Sequence, residues 1–234
     1  APGSHVYLDK PMAESVASAR RIEAAVAGSD VRLVYAIPAI GRFNPITGRL
    51  LARMRAGVLG RPIAYSHSFS FTFPHDFPLA DVWPERLDPP ARSGGGELTN
   101  LGCYAVDLMV GMLGRPRRVQ ARTAGPWGVY REAGLESFGQ VVADYGDVLA
   151  TLASGKQVLD SLPAMDVAGA LDPRHWHDVL VLQTDRSNVV ALPFAGILLV
   201  DGRRVDPADL VAGMPLASPF AELVRAIETG EPPT

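Results

Sequence analysis

Hydrophobic residues in the first part of the chain follow two different spacings. Residues 4–11 and 31–37 are short apolar runs that predict buried strands. Between them, apolar residues at helical spacing over about 12–27 predict a helix, and a similar pattern predicts another over about 46–56. A strand, a helix and a second strand in this order are typical of a βαβ unit. We therefore expect a parallel sheet at the start of the chain.

A period of two replaces these spacings over residues 62–73. Large residues fall on one face of this segment and small polar residues on the other. The alternation predicts an antiparallel strand with one packed face. Further strands are predicted at about 117–124, 138–144, 148–153, 179–184, 188–193 and 196–200. The fold class is therefore α/β at the start, followed by α+β with a mainly antiparallel sheet. The proline-rich stretch 74–90 predicts a long surface loop.

One helix is inserted among these strands, over 97–113, after three glycines at 94–96. Its spacing predicts an apolar stripe of Leu98, Leu101, Ala105, Leu108 and Met112. A second stripe, roughly 120° around, contains Glu97, Asn100, Tyr104 and Asp107. This edge is either a solvated polar face or a ligand-binding edge, and spacing alone leaves both open. Three glycines permit close backbone approach, which is common beside ligands but does not identify one.

The composition excludes several classes of protein. The 234 residues include 22 basic and 25 acidic ones, and 47% are hydrophobic, which rules out intrinsic disorder and shows no electrostatic footprint for nucleic acid. No apolar run reaches the length of about 18 residues that a membrane span needs. Cys103 is the single cysteine, so an internal disulfide is excluded and a cytoplasmic location is expected.

Lysine is scarce in this sequence. Only Lys10 and Lys156 are lysines, and all the other basic residues counted are arginines. A lysine retained against this background is a candidate for chemistry that arginine cannot perform, because arginine does not lose its proton in proteins. Lys10 falls in a motif described next. We expect Lys156 to be an ordinary surface residue.

Three motifs together resemble the glucose–fructose oxidoreductase/inositol dehydrogenase (Gfo/Idh/MocA) family. Asp9-Lys10-Pro11 resembles its E-K-P element, and residues 42–45 followed by 55–60 resemble its R-x-x-P and G-x-(I/L)-G stretch. Residues 94–108 are similar to its G-G-G-x-L-x-D-x-G-x-(H/Y)-x-x-D signature. The last helix, near 220–232, also resembles the family's. Three motifs in the correct order are more specific than any one of them.

The resemblance implies an NAD(P)-dependent oxidoreductase that transfers hydride between NAD or NADP and a sugar- or polyol-like alcohol or ketone. It implies that residues 1–41 are the remnant of a Rossmann domain, whose parallel sheet is followed by the open-faced, mainly antiparallel sheet domain of 42–234. That sheet would bind substrate and form a homodimer or homotetramer. The alternative is a non-catalytic binding or dimerisation module derived from the same family.

The resemblance also implies roles for single residues. Lys10 and Tyr104 would be catalytic, and Lys10 and Pro11 would lie beside the cofactor. Asn100 and Asp107 would position the substrate. Two assignments stay open: Arg42 holds a cofactor or substrate anion or forms a salt bridge, and His75 contacts substrate or simply belongs to its loop.

The sequence departs from the family pattern in three ways. Asn100 replaces the usual aspartate, so it can orient a substrate but cannot act as a base. Asp9 replaces a glutamate, which is a mild change. No G-x-G-x-x-G follows a strand, so we expect about 90 residues of a typical Rossmann domain to be absent. No metal site is predicted, because His175 and His177 have no third ligand at a suitable spacing.

Overall fold

Two sheets and the helices around them make up the part of the chain that the structure describes. The computed structural model describes residues 4–35, 41–74, 76–125, 127–159, 169, 172, 175–206, 209 and 218–232. Its helices are α1 (Val16–Ala27), α2 (Pro45–Arg55), α3 (Leu79–Val82), α4 (Pro90–Ser93), α5 (Glu97–Asn100), α6 (Gly102–Leu113), α7 (Gly128–Glu132) and α8 (Pro219–Thr229). Its strands are β1 (Val6–Leu8), β2 (Leu33–Tyr35), β3 (Pro62–Pro74), β4 (Arg118–Ala124), β5 (Phe138–Asp144), β6 (Leu149–Leu159), β7 (Trp176–Thr184), β8 (Asn188–Leu192), β9 (Ile197–Val200) and β10 (Arg203–Arg204). A small parallel sheet and a larger, mostly antiparallel sheet confirm the predicted fold class.

The small sheet pairs β1 with β2 in parallel, as the βαβ pattern predicts. Both strands are shorter than predicted, and residues 36 and 37 lie outside the described residues. The prediction that the first strand is buried is wrong. Val6 is 39% exposed, because a sheet of two short strands offers little cover. Helix α1 begins later than predicted, since the Ser15 hydroxyl caps it by accepting a hydrogen bond from the Ser18 amide.

The C-terminal helix α8 packs on the small sheet. The Ser218 hydroxyl accepts a hydrogen bond from the Ala221 amide over 3.0 Å and starts the helix. The ring of Phe220 then stacks on that of Tyr7, with 4.5 Å between ring centres. The last helix of the described chain thus lies against its first strand.

Strand β3 lies in the middle of the large sheet, whose order is β10-β9-β8-β7-β3-β6-β5-β4. It pairs antiparallel with β7 but parallel with β6. The prediction of a purely antiparallel strand is therefore wrong for one of its two edges. Alternation cannot distinguish the two pairings, because side chains point to opposite faces in turn in both kinds of strand.

The two faces of the large sheet differ. Helix α6 covers the face that carries Tyr65 and Phe69, and α2 packs behind it, so that Leu50 and Leu108 are fully buried in the main core. The opposite face carries small polar groups, and Val142 on it is 42% exposed. The alternation in the sequence assigned these faces correctly from Tyr65 onward. Ile63, expected on the packed face, is 50% exposed, because the register shifts between Pro62 and Ala64.

The described part of the stretch 74–90 is not the long surface loop that its prolines predict. It contains α3 and a 3₁₀ turn over Pro84–Leu87. Phe77 and Leu79 are buried there and pack with Phe73 and Trp127 in a second core. Two large apolar side chains therefore gain more by burial than the prolines lose by interrupting regular structure.

Candidate active site

Lys10 and Asn100 are in direct contact, although they lie far apart in the sequence. Lys10 Nζ donates a hydrogen bond to Asn100 Oδ1 over 2.6 Å and lies 3.3 Å from the Asn100 backbone oxygen. Lys10 follows β1, and Asn100 is the last residue of α5. The carboxyl end of the small sheet therefore meets the inserted helix at one point.

Tyr104, in the first turn of α6, lies beside the Lys10 ammonium. Lys10 Nζ is 5.2 Å from the centre of the Tyr104 ring. The ring also packs edge-on against Phe69 of β3, with 5.4 Å between ring centres. The side chain is half-buried. The structure therefore brings together the ammonium, the amide and the phenol that the sequence predicts for the site.

The helix predicted over 97–113 is interrupted at Leu101. The Asn100 backbone oxygen lies close to Lys10 Nζ, while the Tyr104 amide bonds to the Leu101 oxygen over 3.1 Å. The Asn100 oxygen also accepts a hydrogen bond from the Cys103 thiol over 3.3 Å. The apolar periodicity of the sequence does not reveal this interruption.

Two of the three glycines before α5, Gly94 and Gly96, pack against other segments of the protein, and Gly95 packs against Thr99 of α5. A Cβ on Gly94 would lie 2.7 Å from the Glu14 backbone oxygen, and one on Gly96 would overlap that of Glu136. The Glu136 carboxylate also accepts hydrogen bonds from the amides of Gly96 and Leu98, over 3.0 and 3.1 Å. Close approach of the backbone therefore explains the glycines at 94 and 96. The amides at the start of α5 already have a hydrogen-bond acceptor in Glu136.

Arg42 and Asp107 bind each other in a two-pronged ion pair. Arg42 Nε and Nη2 lie 2.9 and 2.5 Å from the two carboxylate oxygens of Asp107. The pair joins the segment that precedes α2 to the site helix α6. Of the alternatives that the sequence leaves open for Arg42, the structure shows the salt bridge.

The expectation that Lys156 is a surface residue is wrong. Its side chain is 3% exposed, and its Nζ lies 2.9 Å from both Glu97 Oε1 and the Tyr130 hydroxyl. Glu97 accepts a second hydrogen bond from the Tyr130 hydroxyl and a third from Asn100 Nδ2, over 2.8 Å. The Lys156 ammonium is surrounded by the aromatic rings of Phe73, Trp83 and Tyr130.

The two lysines of the sequence are therefore the ends of one hydrogen-bond path, Lys10–Asn100–Glu97–Lys156. Sequence reasoning missed its inner half. A signal existed, because Lys156 and Leu152 share the buried face of β6 by alternation. The predicted strand stopped at residue 153 and so did not reach Lys156.

A cleft of about 230 Å³ lies beside the contact between Lys10 and Asn100. Its lining includes Pro11, Thr99 and Asn100 together with Glu85, Asp88 and Arg92. Charges of both signs and amide and hydroxyl groups suit a small polar molecule better than an apolar one.

The other candidate residues differ in their relation to the site. Cys103 lies next to it, since its Sγ donates a hydrogen bond to the Asn100 backbone oxygen over 3.3 Å. Burial raises the pKa of the Cys103 thiol to about 11, although the positive charge of Lys10 opposes the rise, so the thiol keeps its proton at neutral pH. His75 lies outside the described residues. His177 is exposed on β7. Among the residues that the structure describes, no three His, Cys, Asp or Glu side chains are grouped to hold a metal ion.

A second buried polar cluster, also missed from the sequence, supports the sheet below the site. His67 Nε2 lies 2.8 Å from Asp178 Oδ1, and the Tyr65 hydroxyl lies 3.2 Å from His67 Nδ1. Burial and the charge of Asp178 raise the pKa of Tyr65 well above its usual value. Tyr65 therefore keeps its proton and can donate a hydrogen bond to His67 Nδ1, so we interpret this cluster as structural.

The fold and site define a class: a parallel β-unit whose strand end meets a helix on an open, mostly antiparallel sheet. A family model for the GFO/IDH/MocA C-terminal domain matches residues 49–170, which is more than half of the chain. The chain therefore belongs to the GFO/IDH/MocA family, as the three motifs indicated. The matched range includes Asn100, Tyr104 and Lys156.

Several named proteins are similar to this chain. D-xylose 1-dehydrogenase (NADP(+)) 2 of Haloferax volcanii is 31% identical over 143 residues, which are 61% of this chain and 40% of the relative. An oxidoreductase from Agrobacterium radiobacter, solved with NAD+, L-tartaric acid and magnesium, has a TM-score of 0.68 at 15% identity over 98% of this chain and 65% of its own. A levoglucosan dehydrogenase, solved with NADH and levoglucosan, has a TM-score of 0.65 at 12% identity over 97% of this chain and 63% of its own.

These comparisons establish the fold and the family. The chain spans 40% of the curated relative and 65% and 63% of the two solved structures. At identities of 15% and 12%, the structural likeness shows a shared fold. None of the helices among the described residues is long and apolar enough to cross a membrane.

Proposed function

We propose that this chain is the substrate-side part of an NAD(P)-dependent oxidoreductase that acts on a sugar- or polyol-like alcohol or ketone. The contact between Lys10 and Asn100, with Tyr104 beside it, carries the proposal. It lies at the carboxyl end of a parallel strand, where α/β sheets bind their ligands. Family membership and the sugar substrates in the names of two relatives support it.

The three side chains suit the proton chemistry of this reaction. Oxidation of a carbinol requires loss of its hydroxyl proton, and Tyr104 accepts that proton as a phenolate or returns it in the reverse direction. The adjacent Lys10 ammonium stabilises negative charge on the phenol oxygen and on the substrate oxygen. Asn100 orients Lys10 without adding a charge.

The residues present fit the nicotinamide end of the cofactor. Lys10 and Pro11 follow β1 within three residues, so we assign them to its border. Arg42 is kept as a candidate from the sequence, and in the structure it pairs with Asp107. When bound, the nicotinamide supplies the hydride acceptor or donor. The sequence carries no G-x-G-x-x-G to cradle the pyrophosphate. The 234 residues alone should therefore bind NAD+ and NADP+ weakly, which titration calorimetry measures.

The remaining polar residues are proposed to position the substrate. Asp107, held by Arg42, and Asn100 present oxygen and nitrogen atoms at the edge of α6 and α5. His75 is kept as a candidate from the sequence alone. Hydrogen-bonding groups of this kind select hydroxylated substrates, because a buried group left unpaired costs binding energy.

The test uses the gene product that contains these 234 residues. It is incubated with NAD+ or NADP+ and a panel of aldopentoses, aldohexoses and cyclitols, and nicotinamide reduction is followed by absorbance. We expect turnover with at least one sugar or cyclitol, and a loss of about 100-fold or more in Lys10→Met. The matched control is Arg122→Met, which removes a charge on exposed strand β4. No turnover with any substrate, or equal turnover in Lys10→Met, would contradict the proposal.

The open face of the large sheet favours a second function, self-association. Ser66 and Val142 are exposed in the middle of this face, and Ser66 and Thr151 join their hydroxyls across β3 and β6 over 3.1 Å. Small side chains along these central strands leave a depression of about 290 Å³, and the open face around it is available for an isologous dimer. Sedimentation of the chain measures this: dimers without any nicotinamide chemistry would favour a non-catalytic dimerisation module.

A further inference from the structure

The amide of Asn100 has a defined polarity. Its oxygen accepts a hydrogen bond from Lys10 over 2.6 Å, and its nitrogen donates one to Glu97 Oε2 over 2.8 Å. The oxygen and nitrogen ends of an asparagine amide have nearly the same shape, so hydrogen-bond partners alone choose between the two orientations. Reversal would direct an NH₂ group at an ammonium and an oxygen at a carboxylate. Both contacts would then be repulsive.

We propose that Glu97, held by Lys156 and Tyr130, is a positioning residue that sets the polarity of the Asn100 amide and so keeps an oxygen acceptor on Lys10. An ionised carboxylate only accepts hydrogen bonds, so only the NH₂ end of Asn100 can face it. The importance of this for catalysis rests on the function proposed above for Lys10.

Lys156 holds Glu97 in place and balances its charge. Glu97 is 1% exposed, and burying a carboxylate without a partner costs free energy. The ammonium of Lys156 at 2.9 Å and the Tyr130 hydroxyl stabilise the charge. Lys156 thus acts on Lys10 through two intervening side chains.

This arrangement also accounts for the asparagine itself. An aspartate at position 100 would place one of its oxygens about where Asn100 Nδ2 now lies, 2.8 Å from a Glu97 oxygen. Two like charges at that separation repel strongly. Glu97 and Asn100 therefore form a matched pair. The Glu97 carboxylate is linked to Lys10 through the Asn100 amide, whereas an aspartate at position 100 would place its negative charge directly beside Lys10.

The experiment is nuclear magnetic resonance of the chain labelled with ¹⁵N and with ¹³C-lysine. The two lysines give two side-chain signals, and Lys156→Met leaves only that of Lys10. In the unmodified protein, the Asn100 amide protons should show Overhauser contacts to the Glu97 methylenes and not to the Lys10 ε-methylene. This measurement needs no variant to fold, and the opposite pattern overturns the proposal.

The variant Glu97→Gln adds a second readout. The glutamine amide in this variant presents a donor and an acceptor, so the polarity of Asn100 is released, and exchange of the Lys10 ammonium protons with water should accelerate about fivefold or more. In Glu97→Gln/Lys156→Met, the glutamine can offer its oxygen to Asn100, and exchange should return to within about twofold. Leu198→Ala, a buried change in β9, controls for lost stability.

Equal Lys10 exchange in the unmodified protein and Glu97→Gln means that the buried pair only supports the fold, and overturns the proposal. The measurements use no cofactor or substrate. Failure of the proposed oxidoreductase activity therefore leaves this result standing, and a negative result here leaves that activity untouched.

Discussion

Glu97 and Lys156 form an ion pair with 2.9 Å between Oε1 and Nζ, and their side chains are only 1% and 3% exposed. Desolvating two charges costs free energy that their mutual attraction only partly offsets. Their contact with Asn100 and Tyr130 makes the pair part of the candidate site's support. We therefore expect replacement of Glu97 or Lys156 alone to lower the stability of the protein far more than replacement of both together.

Lys156→Met should lower the free energy of unfolding by about 3–5 kcal/mol, because it leaves a buried carboxylate without its counter-charge. Glu97→Gln/Lys156→Met should recover most of that loss. Urea denaturation measures both. The control is Arg61→Ala, whose ion pair with Asp185 is long and exposed, at 3.9 Å with Arg61 76% exposed; it should change stability by less than about 0.5 kcal/mol. Equal losses in Lys156→Met and Arg61→Ala would contradict the burial argument.

Gly96→Ala should disrupt the start of α5. The new Cβ would overlap the Glu136 backbone oxygen, so one of the two segments must move. We expect a loss of about 2–4 kcal/mol in stability, together with weaker protection of the Asn100 amide in hydrogen exchange. Gly128→Ala is the matched control, because nothing lies within 4 Å of its Cβ and Gly128 begins helix α7. A Gly96 variant as stable as the Gly128 variant would show that the backbone approach is looser than described.

Tyr104→Phe should reduce turnover of the oxidoreductase about 100-fold or more while leaving KM within a few-fold, since it removes a proton acceptor and little else. Steady-state kinetics with the best substrate of the sugar panel measures this. Tyr145→Phe removes a hydroxyl at the other end of α6, where it donates to the Gly114 oxygen over 3.2 Å. That control should keep nearly full turnover. If both variants behave alike, Tyr104 is not the proton acceptor.

Stability should fall in strong base because Cys103 resists ionisation in the folded state. Its pKa is raised from 9.0 to about 11, so the unfolded chain loses the thiol proton first. The stabilisation is fully present below about pH 9 and is lost as the pH rises through about 11. Between about pH 8 and pH 11 the unmodified chain should lose about 1–2 kcal/mol more than Cys103→Ser.

Urea denaturation at the two pH values measures the difference. Burial and the charge of Cys103 raise the pKa of Tyr35 to about 12. Tyr35 acts in the same direction in both proteins, and the part of its shift that Cys103 causes is included in the measured difference. Identical losses in the unmodified chain and Cys103→Ser would show that the thiol ionises freely in the folded protein.

Much of the architecture could be predicted because it depends on local patterns. The alternation over 62–73 identified β3 and assigned its two faces, and helical spacing located α2 and the buried stripe of α6. Errors arose where a partner distant in sequence decided the outcome. The parallel edge of β3 and the burial of Phe77 each depend on contacts that no local pattern contains.

The candidate site divides in the same way. The motifs around Lys10, Asn100 and Tyr104 named three residues that the folded chain brings together, and their role in a site stays a prediction. Their meeting at 2.6 Å, and the support that Glu97 and Lys156 give them, required the folded chain. A strand boundary placed six residues too early was enough to leave Lys156 on the predicted surface.

The sequence by itself determined most of the strands and longer helices and which faces are apolar, and it named three candidate site residues. Periodicity and motif spacing are local properties, so they survive without coordinates. Only the tertiary structure decided that both lysines end one hydrogen-bond path and that Asn100 has a defined polarity. The physical reason is that hydrogen bonds and charge pairs act over about 3 Å, and folding alone brings residues distant in sequence within that range.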